Sequence, residues 1–310
     1  MKKIVEQVLV QWGMEDAEWS LVAARENHVY RVRNGSASYA LRLHRKGLHS
    51  AAELWSELQW MSAAAANGVS VPCPVVTKNG EFLIEVDGIH VDLLDWLPGR
   101  PLGATGARLE PENRAETFKA IGREMARLHK ISDAWTPPKN FTRWSWDRDG
   151  LLGEEPLWGR FWENPTINGE DRALLLHFRD KADHELQRLE SSLDYGLIHA
   201  DLVRENVMVD GNKIRLIDFD DSGYGFRLFD VATTLIKNRE ESDFEQLRDA
   251  LIEGYRSERP INTDQLDLFM ALRAISYVGW ISSRLDEEGS SDRNTRFLET
   301  ARELLTHYLD

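Results

Sequence analysis

The sequence predicts an α+β protein of two lobes: an N-terminal antiparallel sheet with one helix, then a mostly helical lobe built around one β-hairpin. Three observations carry that expectation. The first hundred residues are short β-rich runs interrupted by a single long helical pattern. The stretch "LPGRPLGATG", with two prolines and three glycines, then breaks the texture and marks a joint. Beyond it helical periodicity dominates, and the only strands expected there lie in "GLIHADLVRENVMVDGNKIRLIDFDDSGYG", residues 196 to 225. The expected lobes are residues 1–97 and 98–310, stacked as two layers with a cleft between them.

Each element has its own signal. "SLVAA" and "HVYRVRNGSASYALRLH" read as strands, the latter pair joined by "NGSA", a hairpin signal. In "SAAELWSELQWMSAAAANG", Leu54, Leu58 and Met61 recur at helical spacing, Ser50 can cap the start, and Asn67-Gly68 ends the run. "VSVPCPVV" and "EFLIEVDGIHVDLLDWL" read as further strands separated by the turn "KNGE". After the joint come the helical patterns "ENRAETFKAIGREMARLHKIS", "GEDRALLLHFRDKADHELQRLESS", "ESDFEQLRDALIEGYRS", "TDQLDLFMALRAISYVGWISSRLDEE" and "RNTRFLETARELLTHYLD". A Trp-rich irregular stretch, "NFTRWSWDRDGLLGEEPLWGRFWENP", separates the first two.

The totals exclude several classes. With 42% hydrophobic and 29% charged residues over 310 positions, the chain has the composition of a folded protein and not of a disordered one. A formal net charge of −14 repels phosphate backbones and argues against nucleic acid as the main partner. No run approaches the ~18 to 20 apolar residues that cross a bilayer, and the N-terminus lacks the pattern of a secretory leader, so a cytoplasmic location without membrane partners is expected. Cys73, the single cysteine, sits between two prolines in "VPCPV", a rigid extended context that suits packing and not an activated thiolate. The sequence leaves the oligomeric state open.

The hairpin carries the chemistry. Val207 to Val209 lead into an Asp210-Gly211 turn and Ile214 to Phe219 lead out. An antiparallel hairpin brings its outer ends side by side, so Asp201 to Asn206 must approach Asp218 to Asp221. Carboxylates a few Å apart in a low-dielectric recess repel by several kcal/mol and call for a compensating cation. A hard divalent ion fits: Mg²⁺ takes one or two carboxylates together with phosphate oxygens and water. Asn206 and Asp218 offer an amide oxygen and a carboxylate, while Asp201, five residues before Asn206, stays clear of the metal and can accept a proton from a hydroxyl. Asp210 and Asp221 read as turn formers.

"HADLVREN" also fits His-x-Asp-x-x-x-x-Asn, and "LIDFDD" places Asp218 twelve residues after Asn206, the constellation of phosphoryl transfer. With "FDVAT" following, the chain resembles the aminoglycoside phosphotransferase and choline kinase superfamily, whose fold is protein-kinase-like. "RENHVYRV" and "RAISYVGWISSRLDEE" are similar to the branch that holds stress response kinase A and the type II homoserine kinases. The resemblance implies ATP and Mg²⁺ as cofactors and Asp201 as the catalytic residue. It implies Asn206 and Asp218 as metal ligands, with Asp220 as a further metal contact. It places Arg42 where the family has a phosphate-pairing Lys, and Glu57 as its helix partner, with Glu53 one turn earlier as competitor. A glycine-rich loop is missing, and Asn27 stands in that region. By position, Asp95, Trp96 and Leu97 form the junction whose backbone reads adenine.

The resemblance further implies that Asp230 braces the catalytic loop, with a helix-start Asp as the alternative; His199, a lone His before Asp201, reads as a hydrogen-bonding support of the loop and not as a metal ligand. The acceptor is expected to be the hydroxyl of a small molecule, an amino alcohol, hydroxy amino acid or aminosugar. Trp144, Trp146, Tyr224, Arg227, Trp280 and Arg284 are candidates to line its site or to fill the core. A protein Ser/Thr kinase and a non-catalytic nucleotide-binding module are the alternatives.

Overall fold

The computed structural model describes residues 2–24, 27–104, 106–107, 109 and 112–310. Arg25 and Glu26, in the glycine-poor loop, and Thr105, in the joint, lie outside the described residues.

The N-terminal part is a five-stranded antiparallel sheet in the order β1-β2-β3-β5-β4. Its strands are β1 (Glu18–Ala24), β2 (His28–Asn34), β3 (Ala37–Leu43), β4 (Leu83–Val86) and β5 (Ile89–Asp95). The β2–β3 hairpin forms where "NGSA" predicts it. "EFLIEVDGIHVDLLDWL", expected as one strand, is instead a hairpin of β4 and β5. Asp87 (φ 53°) and Gly88 (φ 70°) supply the two left-handed residues that a tight turn needs. "VSVPCPVV" forms no strand beyond an isolated bridge between Pro74 and Leu94, since its two prolines lack the N–H that a ladder requires. A helix that the sequence reading missed, α1 (Lys2–Leu9), packs Val5, Val8 and Leu9 against Tyr30, Val32, Leu41, Leu43, Val91 and Leu93 to form this sheet's own core.

Helix α2 (Ala51–Ala66) carries the capping box that Ser50 and Glu53 encode: the Ser50 side chain accepts from the Glu53 amide, and the Glu53 carboxylate accepts from the Ser50 amide. Its apolar face (Leu58, Trp60, Met61, Ala64) belongs to the large core of the helical lobe. Trp60 stacks edge-on against Phe219 at 5.3 Å and donates to Ser132 Oγ at 2.9 Å. The helix therefore joins the two parts of the chain.

Beyond the joint, β6 (Arg100–Pro101) adds to the predicted hairpin of β9 (Val207–Asp210) and β10 (Lys213–Leu216), giving the order β10-β9-β6. Gly99 (φ 116°) permits this, because a Cβ there would stand 2.9 Å from the Val209 carbonyl oxygen. A second small sheet, β7 (Trp144–Trp146), β11 (Gly223–Phe226) and β8 (Tyr195–Ile198), was not expected; runs of three or four residues are too short to show alternation. The long helices α3 (Arg114–Ala134), α5 (Gly169–Leu189), α7 (Phe244–Arg256), α8 (Leu266–Ser282) and α9 (Ser290–Leu309) follow the predicted patterns, with a short α4 (Arg148–Leu152) inside the Trp-rich stretch. Helix α6 (Arg227–Ile236) was missed because its ten residues make less than three turns; all are buried, including the polar face of Arg227, Asp230, Thr233 and Thr234. Among the described residues no helix is long and apolar enough to cross a membrane.

Candidate active site

The loop from His199 to Asn206 leaves β8 in a conformation that its own sequence does not favour: Ala200 has φ 65°, a left-handed value rare outside glycine. Its surroundings hold it there. Asp230, fully buried near the start of α6, accepts the amides of His199 at 2.9 Å and Ala200 at 2.6 Å. Asp230 in turn accepts from His129 Nε2 at 3.0 Å. Burial first, and the nearby Arg227 next, push His129 down to about 4, so it stays neutral, and its Nδ1 accepts the Tyr255 hydroxyl at 2.8 Å. His199 is likewise lowered by burial; its Nε2 donates to the Ile217 carbonyl at 3.0 Å. Both Asp230 and His199 thus bond to the loop as expected of its supports, and Asp230 also lies near a helix start.

Asp201 is clamped from two sides. Asn206 Nδ2 donates to Asp201 Oδ2 at 2.8 Å and to the Asp201 carbonyl at 2.9 Å, while Arg273 Nη2 donates to Oδ1 at 2.7 Å. With its nitrogen engaged, the Asn206 amide directs its oxygen elsewhere. The amide of Ile217 bonds to the Asn206 carbonyl at 3.0 Å, which sets Asp218 beside this group. Asp218 (φ 67°) is exposed to solvent and makes no hydrogen bond or ion pair among the described residues. The protein around it first, then Asp220 and Asp201, raise its carboxyl above the ordinary range; its exposure to water tempers that rise. One amide oxygen and one unpartnered carboxylate are a donor set that fits Mg²⁺ shared with phosphate oxygens. They do not make a closed protein cage: among the described residues no group of three or more His, Cys, Asp and Glu could hold a metal.

Across the cleft, Arg42 on β3 is buried between carboxylates. It donates from Nη1 to Glu57 Oε1 at 2.7 Å and from Nε and Nη2 to the two oxygens of Asp92, each at 2.9 Å. His44, on the same strand face, meets Asp92 at 2.6 Å. Capping occupies Glu53, so Glu57 is the helix residue that pairs with Arg42. Asp220 turns toward the sheet lobe. Its carboxylate accepts from Asn27 Nδ2 at 3.2 Å and lies 3.7 Å from His49 Nε2; burial opposes its charge, but His49 and then His44 and Arg42 outweigh it and hold it well below the usual carboxylate range. Asn27 and Asp220, expected to meet nucleotide and metal separately, thus bond to each other. At the junction, the Asp95 amide donates to the Cys73 carbonyl at 2.9 Å and the Trp96 amide to Ser38 at 3.1 Å, while Arg31 covers the Trp96 ring at 4.6 Å; Leu97 follows, half-buried.

Three side chains bonded to the candidate site residues escaped the sequence reading. Asp92 is a lone acid in the apolar strand "IHVDLL", and Arg273 a lone base in the apolar helix "LFMALRAISYV"; both are isolated charges in buried elements, which is a usable signal. Arg143, inside the irregular stretch, gave none. Two of the candidate lining residues belong to the core instead. Trp146 is buried against Phe229, and Arg227 reaches away to Asp133 at 2.5 Å. Trp144 packs on His49 at 4.6 Å and Tyr224 on Phe141 at 5.9 Å. Trp280, with Arg284 stacked on it at 4.3 Å, meets Trp158 at 6.3 Å, and Trp158 covers Arg273 beside Asp201. Asp221 is no simple turn former: its carboxylate accepts from Trp158 Nε1 at 3.2 Å, and burial, then Asp201 and Asp220, push its carboxyl well above the ordinary range.

A sheet lobe that presents a buried cation held by a helix carboxylate, opposite a hairpin that presents Asp201 clamped by Asn206 and an unpartnered Asp218, is the plan of the protein-kinase-like phosphotransferases. The profile of the phosphotransferase enzyme family that includes the aminoglycoside phosphotransferases matches residues 18–269, and the chain belongs to that family. A solved structure of a microcompartment-associated aminopropanol kinase is similar over 100% of this chain and 98% of its own, with a TM-score of 0.86 and 29% identity. The amicoumacin kinase of Bacillus subtilis (strain 168) is 28% identical over 238 residues, 76% of this chain and 67% of its own length. A homoserine kinase of Methylobacillus glycogenes is 26% identical over 272 residues, 84% of this chain and 77% of its own. The protein is an ATP-dependent kinase whose acceptor is a hydroxyl group of a small molecule.

Proposed function

We propose that the acceptor is a small molecule carrying both an amine and a hydroxyl, and that Asp201 orients that hydroxyl for transfer of the γ-phosphoryl of ATP. The observation that carries this reading is the clamped carboxylate. Arg273 and Asn206 fix both oxygens of Asp201, which keeps the carboxylate aimed, so that it can accept the hydroxyl proton as the O–P bond forms. The Asn206 amide oxygen and the Asp218 carboxylate would hold Mg²⁺, which would supply neutralisation of the triphosphate charge. Arg42, fixed by Glu57 and Asp92, aims its remaining N–H groups at phosphate oxygens, the role that a Lys plays in related kinases. Asn27 and the Asp95–Leu97 junction border the nucleotide. The carboxyl of Asp221 with the rings of Trp158 and Trp280 suits an ammonium group near the hydroxyl site. The aminopropanol, homoserine and amicoumacin kinases to which the chain is similar support an acceptor of this kind.

The test is a panel of amino alcohols, hydroxy amino acids and aminosugars incubated with Mg-ATP, following ADP release, with Asp201→Asn as control. We expect one chemical group to stimulate release and the variant to lose about 10²- to 10⁴-fold. Equal turnover by the variant would remove Asp201 from its role, and no stimulation by any amine-bearing alcohol would remove the acceptor class.

A further inference from the structure

Arg143 lies in the irregular stretch between α3 and α4, yet its guanidinium is buried and uses all five of its N–H groups. Nε donates to the Ser222 carbonyl at 2.7 Å. Nη1 donates to the Glu53 carbonyl at 3.1 Å and to Glu57 Oε2 at 3.5 Å. Nη2 donates to the carbonyls of Phe219, at 3.1 Å, and Asp220, and to Ser222 Oγ at 3.2 Å. One side chain therefore ties two turns of helix α2, including the carboxylate that holds Arg42, to the loop that follows Asp218.

Its own backbone is pinned on both sides. The Thr142 amide donates to Ser56 Oγ on α2 at 2.9 Å, and Trp144 pairs with Gly223 in the parallel β7–β11 ladder. Gly223 has to be glycine for that approach, because a Cβ would stand 2.3 Å from the Trp144 carbonyl oxygen. The apolar face of α2 is already part of the helical lobe's core through Trp60, Phe219 and Ser132. Helix and metal loop are thus joined by packing and by a fork of hydrogen bonds that needs neither nucleotide nor metal.

We propose that Arg143 is a positioning residue that keeps Arg42–Glu57 and Asp218 in their working relation before any ligand arrives, so that this kinase is preassembled and is not switched by movement of helix α2. The inference rests on the reading given under Proposed function, and its test separates the two. Hydrogen exchange on the ligand-free protein should show the bonded amides of 54–57 and of Ser222 protected, changing less than about twofold when Mg²⁺ and AMP-PNP are added. Free exchange without ligand followed by protection with it would overturn the proposal, and this measurement needs no acceptor. In Arg143→Lys, which keeps the charge and loses the fork, these amides should exchange faster. With an active acceptor kcat should fall about 10²-fold, as for reacting groups displaced by an ångström, while the acceptor KM stays within twofold. Unchanged kcat and exchange in a variant that unfolds cooperatively would also overturn it. Absence of phosphotransfer in the unmodified protein would count against the kinase roles alone, leaving the exchange result to decide the strut.

Discussion

Among the described residues, replacing Arg42 by Met removes the only Arg or Lys that pairs with Asp92 and leaves Glu57 with the single 3.5 Å contact to Arg143, while both carboxylates remain fully buried. Three charge-assisted hydrogen bonds of 2.7 to 2.9 Å disappear together. Breaking a buried pair by removing one partner costs about 3–5 kcal/mol, most of it the expense of an uncompensated charge. The cost should therefore depend on pH. In the unmodified protein burial opposes ionisation of Asp92, but Arg42 first and then His44 outweigh it and lower its pKa, so its stabilisation is present above the unfolded carboxylate range and lost as pH falls below it. Without Arg42 burial prevails, the folded pKa rises above the unfolded value, and protonation relieves the strain. The deficit should be full at pH 7 and shrink toward pH 4. Urea unfolding followed by circular dichroism at pH 7 and 5 measures both values. A double variant, Arg42→Met with Asp92→Leu, should recover part of the loss at pH 7. A deficit below about 1 kcal/mol, or one equal at both pH values, would refute the assignment of this cluster as a buried, mutually dependent charge group.

His129 stays neutral in the fold down to about pH 4 but takes a proton near pH 6.5 when unfolded. Over that interval the unfolded chain binds more protons, so stability falls on acidification by up to about 3 kcal/mol from this group. His129→Gln should flatten that part of the stability–pH curve, read from urea midpoints. Gly254→Ala would put a Cβ 1.9 Å from the Lys119 carbonyl where α3 and α7 cross, and should lower the thermal midpoint by the equivalent of at least about 1–3 kcal/mol. Arg273→Gln should lower kcat by about 10- to 10²-fold through a loosened Asp201, with nucleotide affinity, measured by calorimetry, left within about threefold.

Much of this molecule was legible because local signals and tertiary demands agree. The capping box of α2, the "NGSA" turn and the Asp210-Gly211 hairpin each encode their geometry in adjacent residues, and the hairpin brings the segments of Asn206 and Asp218 side by side. What stayed hidden depends on distant partners. Asp92 matters because β5 lies beside β3, a pairing set by register across fifty residues of sequence (92 − 42). Arg143 matters because β7 lies parallel to β11, and a three-residue strand has no pattern of its own. Asp220 repeats the spacing of a metal ligand, yet its strand end turns it to Asn27 and His49 of the sheet lobe. In "VPCPV" the prolines favour an extended backbone, but their missing N–H groups limit the pairing to one isolated bridge.

The most direct test is calorimetric titration of AMP-PNP into the protein with and without Mg²⁺, repeated in Asp218→Asn. If Asp218 and Asn206 meet a metal–triphosphate in the cleft, the unmodified protein binds with clear heat only when Mg²⁺ is present, and the variant loses that dependence. Equal heats for both proteins, or no heat under any condition, would contradict the assignment.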